Sequence, residues 1–292
     1  MTTPHRNGIW LSRPWVTCLS FSGGKGSSAL LWLVLRGDIP MPPNFIVINA
    51  DPGMEDSRTY AYVDMMEAEC RKAGIPFIRT KRNLYQEMLD LKKSGSTRFD
   101  TPPLWTRNRE TGKRGRLMQK CTLAYKIAPM DRALRQWMQE NIGVSAKTKN
   151  MGRDAVCKWI GFSANEWHRI KEAKQEYQYM EYPLITHGYT DAKIAGYFMQ
   201  HGLPLPPRSV CNACFANDVA HFKDMHDNRP SDWEQAVAFD DEVRDLTCIG
   251  VKDECYVSST LIPLRVLAET GFPQDADKNR EDIMCHSGHC FV

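Results

Sequence analysis

The chain has 292 residues, 42% hydrophobic and 25% charged, a balance that excludes wholesale disorder and allows one large or two smaller domains. Thirty-eight Lys and Arg against 35 Asp and Glu leave a net charge of +3, too little to make the whole chain a polyanion binder. The longest unbroken apolar stretch, Ala29 to Leu35, is far too short to cross a bilayer, and the first ten residues carry no apolar run of signal-peptide length. A cytoplasmic protein with no membrane association is therefore expected. Thiols stay reduced there, so the ten cysteines need a reason other than disulfides.

In chain order, Val16 to Phe21 predicts a first strand, followed by a glycine turn and an apolar helix from Ser27 to Arg36. Phe45 to Asn49 predicts a second strand. Val63, Met66, Cys70 and Ala73 recur at spacings of three and four, giving a helix with one apolar face, and Gly74 sits where a C-cap belongs. Pro76 to Ile78 and Val156 to Gly161 predict a third and a fourth strand. Strands alternating with helices imply a parallel sheet with crossover helices. Thr190 starts a helix carrying Ile194 and Phe198, which Gly202-Leu-Pro-Leu-Pro-Pro207 breaks. Ser231-Asp-Trp-Glu234 reads as a capping box opening another helix, and Thr260 to Glu269 as a further one. The tail ends Cys285-His-Ser-Gly-His-Cys290. The division expected is a sheet-containing domain over 1–200 and a small, cysteine-containing, mainly helical subdomain over 201–292.

Charge is unevenly spread. Arg107, Arg109, Lys113, Arg114, Arg116, Lys120 and Lys126 are opposed within their own stretch only by Glu110. Such a basic, glycine-containing loop suits phosphate groups, or is simply a solvated loop. The acidic stretch from Asp224 to Glu254 reads as helix surface.

Ser22-Gly-Gly-Lys-Gly-Ser-Ser28 follows an apolar strand and opens an apolar helix. Glycines let backbone N–H groups approach a phosphate, the helix N-terminus favours negative charge, Lys25 adds a cation, and Ser27 and Ser28 add hydroxyls. The spacing is neither the Walker A pattern nor the dinucleotide Gly-x-Gly-x-x-Gly. Cys211-Asn-Ala-Cys214 can grip a metal from a tight turn, with zinc, an iron–sulfur cluster and a redox dithiol all open. Cys121 precedes a helix beside Lys120 and Lys126, an environment expected to lower a thiol pKa. Cys18, Cys70 and Cys157 fall on core faces. Cys248 and Cys255 have no assigned role, and His286 and His289 read as surface histidines.

These segments resemble the PP-loop adenine-nucleotide α-hydrolase superfamily, in its branch similar to phosphoadenylyl sulfate (PAPS) reductases. Ser22-Gly-Gly-Lys25 resembles the PP-loop, whose usual form is Ser-Gly-Gly-Lys-Asp-Ser. Ala50-Asp-Pro-Gly-Met-Glu55 resembles its Ala-Asp-Thr-Gly-x-Glu segment, and Lys120-Cys-Thr-Leu-Ala-Tyr-Lys-Ile-Ala-Pro129 its Cys-Thr-x-x-x-Lys-Ile-x-Pro. Gly161-Phe-Ser-Ala-Asn-Glu166 with Arg169, then Tyr182-Pro-Leu184, then Gly202 to Cys214, follow in the same order. Gly26 stands where Asp is usual.

The resemblance implies a HUP-type, Rossmann-like α/β fold: an open parallel sheet with flanking helices and a nucleotide at the carboxyl ends of the strands. Ser22, Gly23, Gly24, Lys25, Ser27 and Ser28 would hold phosphates. Asp51 and Glu55 would lie near ribose or Mg²⁺, Gly161 would face adenine, and Glu166 and Arg169 would line the cleft. Cys121, Cys211 and Cys214 match positions that hold a [4Fe-4S] cluster in some members, with Zn²⁺ as the alternative. Cys290 from the tail would complete the set or act as a mobile nucleophile.

The function implied is an AMP-forming ATP pyrophosphatase that activates an acceptor for sulfur transfer, with Lys25, Cys121 and Cys290 as catalytic residues. Enzymes of DNA phosphorothioation and tRNA thiolation suggest a nucleic-acid acceptor, met by the Arg107 to Lys126 loop, and a sulfur donor or thioredoxin as partner. A homo-oligomer also fits. The rivals are a sulfonucleotide reductase that takes PAPS or adenylyl sulfate and releases sulfite, and a nucleotide- or nucleic-acid-binding module with a structural zinc.

Overall fold

The computed structural model describes residues 14–95, 102–144 and 151–273. Cys285, His286, His289 and Cys290 lie outside the described residues.

Strand β1 (Val16–Phe21) is buried at every position and leads into helix α1 (Lys25–Leu35). β2 (Phe45–Asp51), α2 (Ser57–Lys72) and β3 (Phe77–Lys81) follow. Then come α3 (Leu84–Ser94), a hairpin of β4 (Trp105–Arg107) and β5 (Arg114–Arg116), a π-helical stretch Thr122–Ile127, and α4 (Ala128–Asn141). β6 (Val156–Trp159), β7 (Gln178–Glu181), α5 (Pro183–Thr186) and α6 (Asp191–Gln200) complete the larger sheet and its cover.

That sheet has the order β3-β2-β1-β6-β7, with every pair parallel. It is a mixed α/β, Rossmann-like architecture, as expected. Side chains alternate across each strand. Leu19, Phe21, Phe45 and Val47 face α1, α2 and α6, packing on Leu30, Leu33, Met66 and Phe198. Val16, Cys18, Ile46 and Ile48 face the other way, onto Met130, Leu134 and Met138 of α4. With both faces covered, β1 reads as a continuous apolar run.

The chain leaves β1 toward β2 on one side and returns as β6 on the other. The carboxyl ends of β1 and β6 therefore flank a topological switch point, where open sheets bind ligands.

A third core lies beyond the sheet. Helices α7 (Val219–Asn228), α8 (Pro230–Glu242) and α9 (Leu264–Glu269) and strand β8 (Glu254–Tyr256) surround Phe222, Phe239, Leu246, Cys255 and Leu267, all fully buried. This core also takes Met54, Leu84, Met88, Leu104, Ala124 and Tyr125 from earlier in the chain. β8 joins the hairpin in a three-stranded antiparallel sheet, β5-β4-β8.

Three expectations are corrected here. Helix α8 starts at Pro230 with no side-chain cap, so Ser231 is not its N-cap. Pro230 occupies the first turn, and the Asp232 carboxylate instead accepts from the Ser57 N–H at 3.0 Å and the Ser57 hydroxyl at 2.8 Å. α9 begins at Leu264 rather than Thr260, because Ser258 and Thr260 hydrogen-bond into a turn ahead of Pro263. The acidic stretch is not merely helix surface. Asp240 is fully buried and accepts from the Val257 and Leu264 N–H groups at 2.9 and 3.0 Å, beside Arg244.

Candidate functional site

The turn after β1 is shaped by its own hydroxyls. Ser22 and Ser27 Oγ lie 3.2 Å apart, the Gly24 N–H donates to Ser22 Oγ at 3.3 Å, and Ser27 donates back to the Gly24 carbonyl at 3.3 Å. Gly23, at φ +78°, has the left-handed backbone that glycine tolerates, and a Cβ there would meet Val63 of α2 at 3.0 Å. Gly24 caps α1, so the loop amides and the helix N-terminus face one space.

That space is a cavity of about 460 Å³, within the range of small-molecule sites. Ser22, Gly24, Lys25, Gly26, Ser27, Gly161, Glu166 and Arg169 line it, joined by Phe162, Ser163, Asp191, Pro206, Pro207, Arg208 and Ser209. Seven of the residues singled out from the sequence thus converge. Four do not line the cavity. Gly23 packs on α2, and Ser28 is fully buried in α1. Asp51 accepts from the Gly53 N–H and the Tyr60 hydroxyl, both at 2.7 Å. Glu55 belongs to a neighbouring site. Asp191, Arg208 and Ser209 were not singled out from the sequence. The helix start at Thr190 was the available signal for Asp191, since its first residue faces this cavity.

A second pocket of about 60 Å³ is lined by Cys121, Cys211, Cys214, Gln119, Lys126 and Phe215, and by Ser209, which lines both cavities. The strap through Ser209 explains the adjacency. A Cβ on Gly24 would sit 3.3 Å from Ser209 Cβ, so the strap lies against the turn after β1. It then pairs with the segment after β2: the Asp56 N–H donates to the Val210 carbonyl at 3.1 Å, and the Asn212 N–H to that of Met54 at 2.7 Å. This sets Glu55 opposite Cys211.

Lys126, on the π-helical turn, donates to Glu55 Oε1 at 2.9 Å, both side chains being largely buried. The Cys211 thiol lies 3.8 Å from the same oxygen. Glu55 Oε2 is buried with no hydrogen-bond partner, a cost of roughly 1–3 kcal/mol or more for a carboxylate. π-Helical turns recur at functional sites, and this one brings Cys121 and Lys126 to a single pocket.

The thiols are not acidic in this setting. Burial pushes Cys214 up to about 11 and Cys211 well above its ordinary value, the latter helped by Glu55. Burial also raises Cys121 and outweighs Lys126, which corrects the expectation of a lowered pKa from its basic neighbours. Among the described residues no group of three or more His, Cys, Asp or Glu is arranged to hold a metal ion. Cys18, Cys70 and Cys157 are buried as expected, Cys255 is buried too, and Cys248 is exposed.

The basic stretch divides. Arg107 pairs with Glu254 at 3.1 Å and Arg109 with Asp245 at 3.4 Å, so residues of the acidic stretch neutralise both. Arg114 lies over the Trp105 ring at 4.2 Å, and Arg116 over Phe215 at 5.4 Å. Phe215 also lines the cysteine pocket, which places the Arg116 guanidinium near its edge.

Residues 17–207 match the model of the phosphoadenosine phosphosulfate reductase domain. The chain belongs to this family. The match ends at Pro207, where the strap begins its approach to the cysteine pocket. Among curated proteins no sequence matches the chain. Among solved structures it is similar to the U34-tRNA thiolase NcsA from Methanococcus maripaludis with its [4Fe-4S] cluster. That likeness has 12% identity over 89% of this chain and 82% of that one, with a TM-score of 0.38, too distant to carry an argument. None of the described helices is long and apolar enough to cross a membrane.

Proposed function

We propose that this member of the PAPS-reductase-like family is an AMP-forming ATP pyrophosphatase that activates an acceptor oxygen for sulfur transfer. The observation that carries the reading is the shared wall of the two cavities. Ser209 lines both the phosphate-loop cavity and the pocket of Cys121, Cys211 and Cys214. A phosphate-binding loop and a cluster of thiols that close suit a reaction in which one site activates what the other sulfurates.

Loop N–H groups and Lys25 bind and orient the triphosphate and stabilise the charge on departing pyrophosphate. The acceptor oxygen attacks the α-phosphorus, pyrophosphate leaves, and the adenylated acceptor then takes sulfur as AMP leaves. Glu166 reaches back to the Ser163 N–H at 3.0 Å and pairs with Arg169, which fixes that guanidinium at the cavity wall.

The donor set of the second pocket, three thiols with one buried carboxylate beside them, fits an iron–sulfur cluster, in which each iron takes its own thiolate. Cys121, Cys211 and Cys214 would hold the cluster, which would supply a binding point for the transferred sulfur. Lys126, held by Glu55, would compensate thiolate charge on Cys211 and Cys121.

The acceptor we favour is nucleic acid. Arg114 over the Trp105 ring, and Arg116 over Phe215 near the pocket edge, offer cations to a phosphate backbone at low entropic cost. Anaerobically reconstituted protein given Mg²⁺-ATP and a nucleic-acid acceptor should release pyrophosphate, and Lys25→Met should abolish the release. No release with any acceptor would refute the reading. The match to the reductase domain supports a second one, a sulfonucleotide reductase; sulfite release from PAPS with thioredoxin would put it first.

A further inference from the structure

The phosphate-loop cavity holds two carboxylates in different situations. Glu166 is engaged by its neighbours, Arg169 and the Ser163 N–H. Asp191 Oδ1 lies 3.1 Å from Lys25 Nζ, and both side chains are half-exposed to the cavity. Its position is built. The Asp191 N–H donates to Asn165 Oδ1 at 2.9 Å, and the Thr190 hydroxyl caps α6 by accepting from the Lys193 N–H at 3.2 Å.

A carboxylate here works against the cavity's evident purpose. Of the lining cations, Arg169 is paired with Glu166 and Lys25 with Asp191, which leaves Arg208 to offset a polyphosphate. Phosphates that draw Lys25 toward themselves strip Asp191 of its partner and bring like charges within a few ångströms of one another. A divalent cation arriving with the polyphosphate reverses the sign of that contact. Mg²⁺ is commonly held through one or two carboxylates together with substrate phosphates. Among the described residues no other carboxylate serves. The loop from Ser22 to Ser28 has none, Asp51 is held by Gly53 and Tyr60, and Glu55 is held by Lys126 beside the cysteine pocket.

We infer that Asp191 receives the divalent cation of the nucleotide polyphosphate bound at the phosphate loop, and so makes nucleotide binding at this site cation-dependent. The inference rests on the nucleotide reading above and adds the residue that couples it to a metal.

The test is equilibrium dialysis of ATP against the full chain, in Mg²⁺ or in EDTA, for wild type, Asp191→Asn, Asp191→Ala and a control, Glu234→Gln, on the exposed face of α8. Wild type and the control should bind ATP about tenfold or more tighter with Mg²⁺. Both Asp191 variants should bind ATP more tightly in EDTA than wild type does, and lose most of the Mg²⁺ effect. Mn²⁺ retained with ATP, read by its electron paramagnetic resonance, should fall in the same two variants. Unchanged cation dependence in both Asp191 variants would overturn the inference alone. Folded wild type that retains no ATP in either buffer would overturn the nucleotide reading and this inference with it.

Discussion

Gly26 and Gly161 meet backbone to backbone: a Cβ on Gly26 would lie 1.8 Å from the Gly161 carbonyl oxygen, and one on Gly161 would lie 2.5 Å from the Ser27 nitrogen. The loops leaving β1 and β6 are thus pressed together at the switch point of the sheet. Gly26, which departs from the Asp usual in the PP-loop, is a packing requirement of this contact.

Restoring the usual residue should therefore damage the protein. Gly26→Asp and Gly26→Ala both force the loops apart, at an overpacking cost of roughly 1–3 kcal/mol. Both variants should melt several degrees lower and bind ATP more weakly than wild type. A Gly26→Asp variant that melts like wild type and binds ATP better would refute this account.

The thiol environment sets a pH window. Burial raises Cys214 to about 11 and Cys18, Cys70 and Cys255 to about 12. A thiol raised in the folded state stabilises it fully below the unfolded value near 9, and that contribution is lost as pH climbs through the folded values. Metal-free protein should accordingly lose urea resistance between about pH 9 and 12. At pH 8, exposed Cys248 should alkylate well before Cys211 or Cys214, and mass mapping after brief iodoacetamide treatment reads the order. Rapid labelling of Cys211 at pH 8 would contradict the protonated state that its surroundings favour.

The two kinds of arginine in the hairpin should separate in a salt titration. Arg114→Ala and Arg116→Ala should weaken single-stranded nucleic-acid binding and lower the slope of log K against log salt by about 0.7 for each lost contact. Arg107→Ala, which breaks a pair with Glu254, should leave that slope near the wild-type value and mainly lower thermal stability. Equal slopes in all three variants would remove the hairpin as a nucleic-acid surface.

The turn after β1 and the strands around it were legible because each signal is local. β1 and β2 are short apolar runs, and the Ser22 to Ser28 turn lies between a strand and a helix it partly defines. The hairpin was not legible. β4 and β5 are three residues each, β5 is Arg-Gly-Arg, and what makes β4 a strand is pairing with β8 about 150 residues later. Distance in sequence likewise hid the pairing of Glu55 with Lys126 and of Lys25 with Asp191. The Cys121 environment failed for a different reason. Neighbouring lysines were visible along the chain, but burial, which overrides them, is a property of the folded pocket.

His221 offers a last test, on the acid side. Its side chain sits near Arg208, Arg229, Asp56 and Asp218, with Nε2 buried and without a hydrogen-bond partner. Burial lowers it to about 4, and the two arginines reinforce the shift. Between about pH 6.5 and 4 the unfolded chain binds a proton there that the folded chain refuses, so this residue makes stability fall as pH falls through that window. His221→Gln should be less stable at pH 7, through a buried amide of imperfect fit, yet show a shallower loss of stability from pH 6.5 to 4. Urea midpoints across that range measure both effects separately. If the variant and wild type lose stability in parallel, His221 is not held neutral in the folded chain.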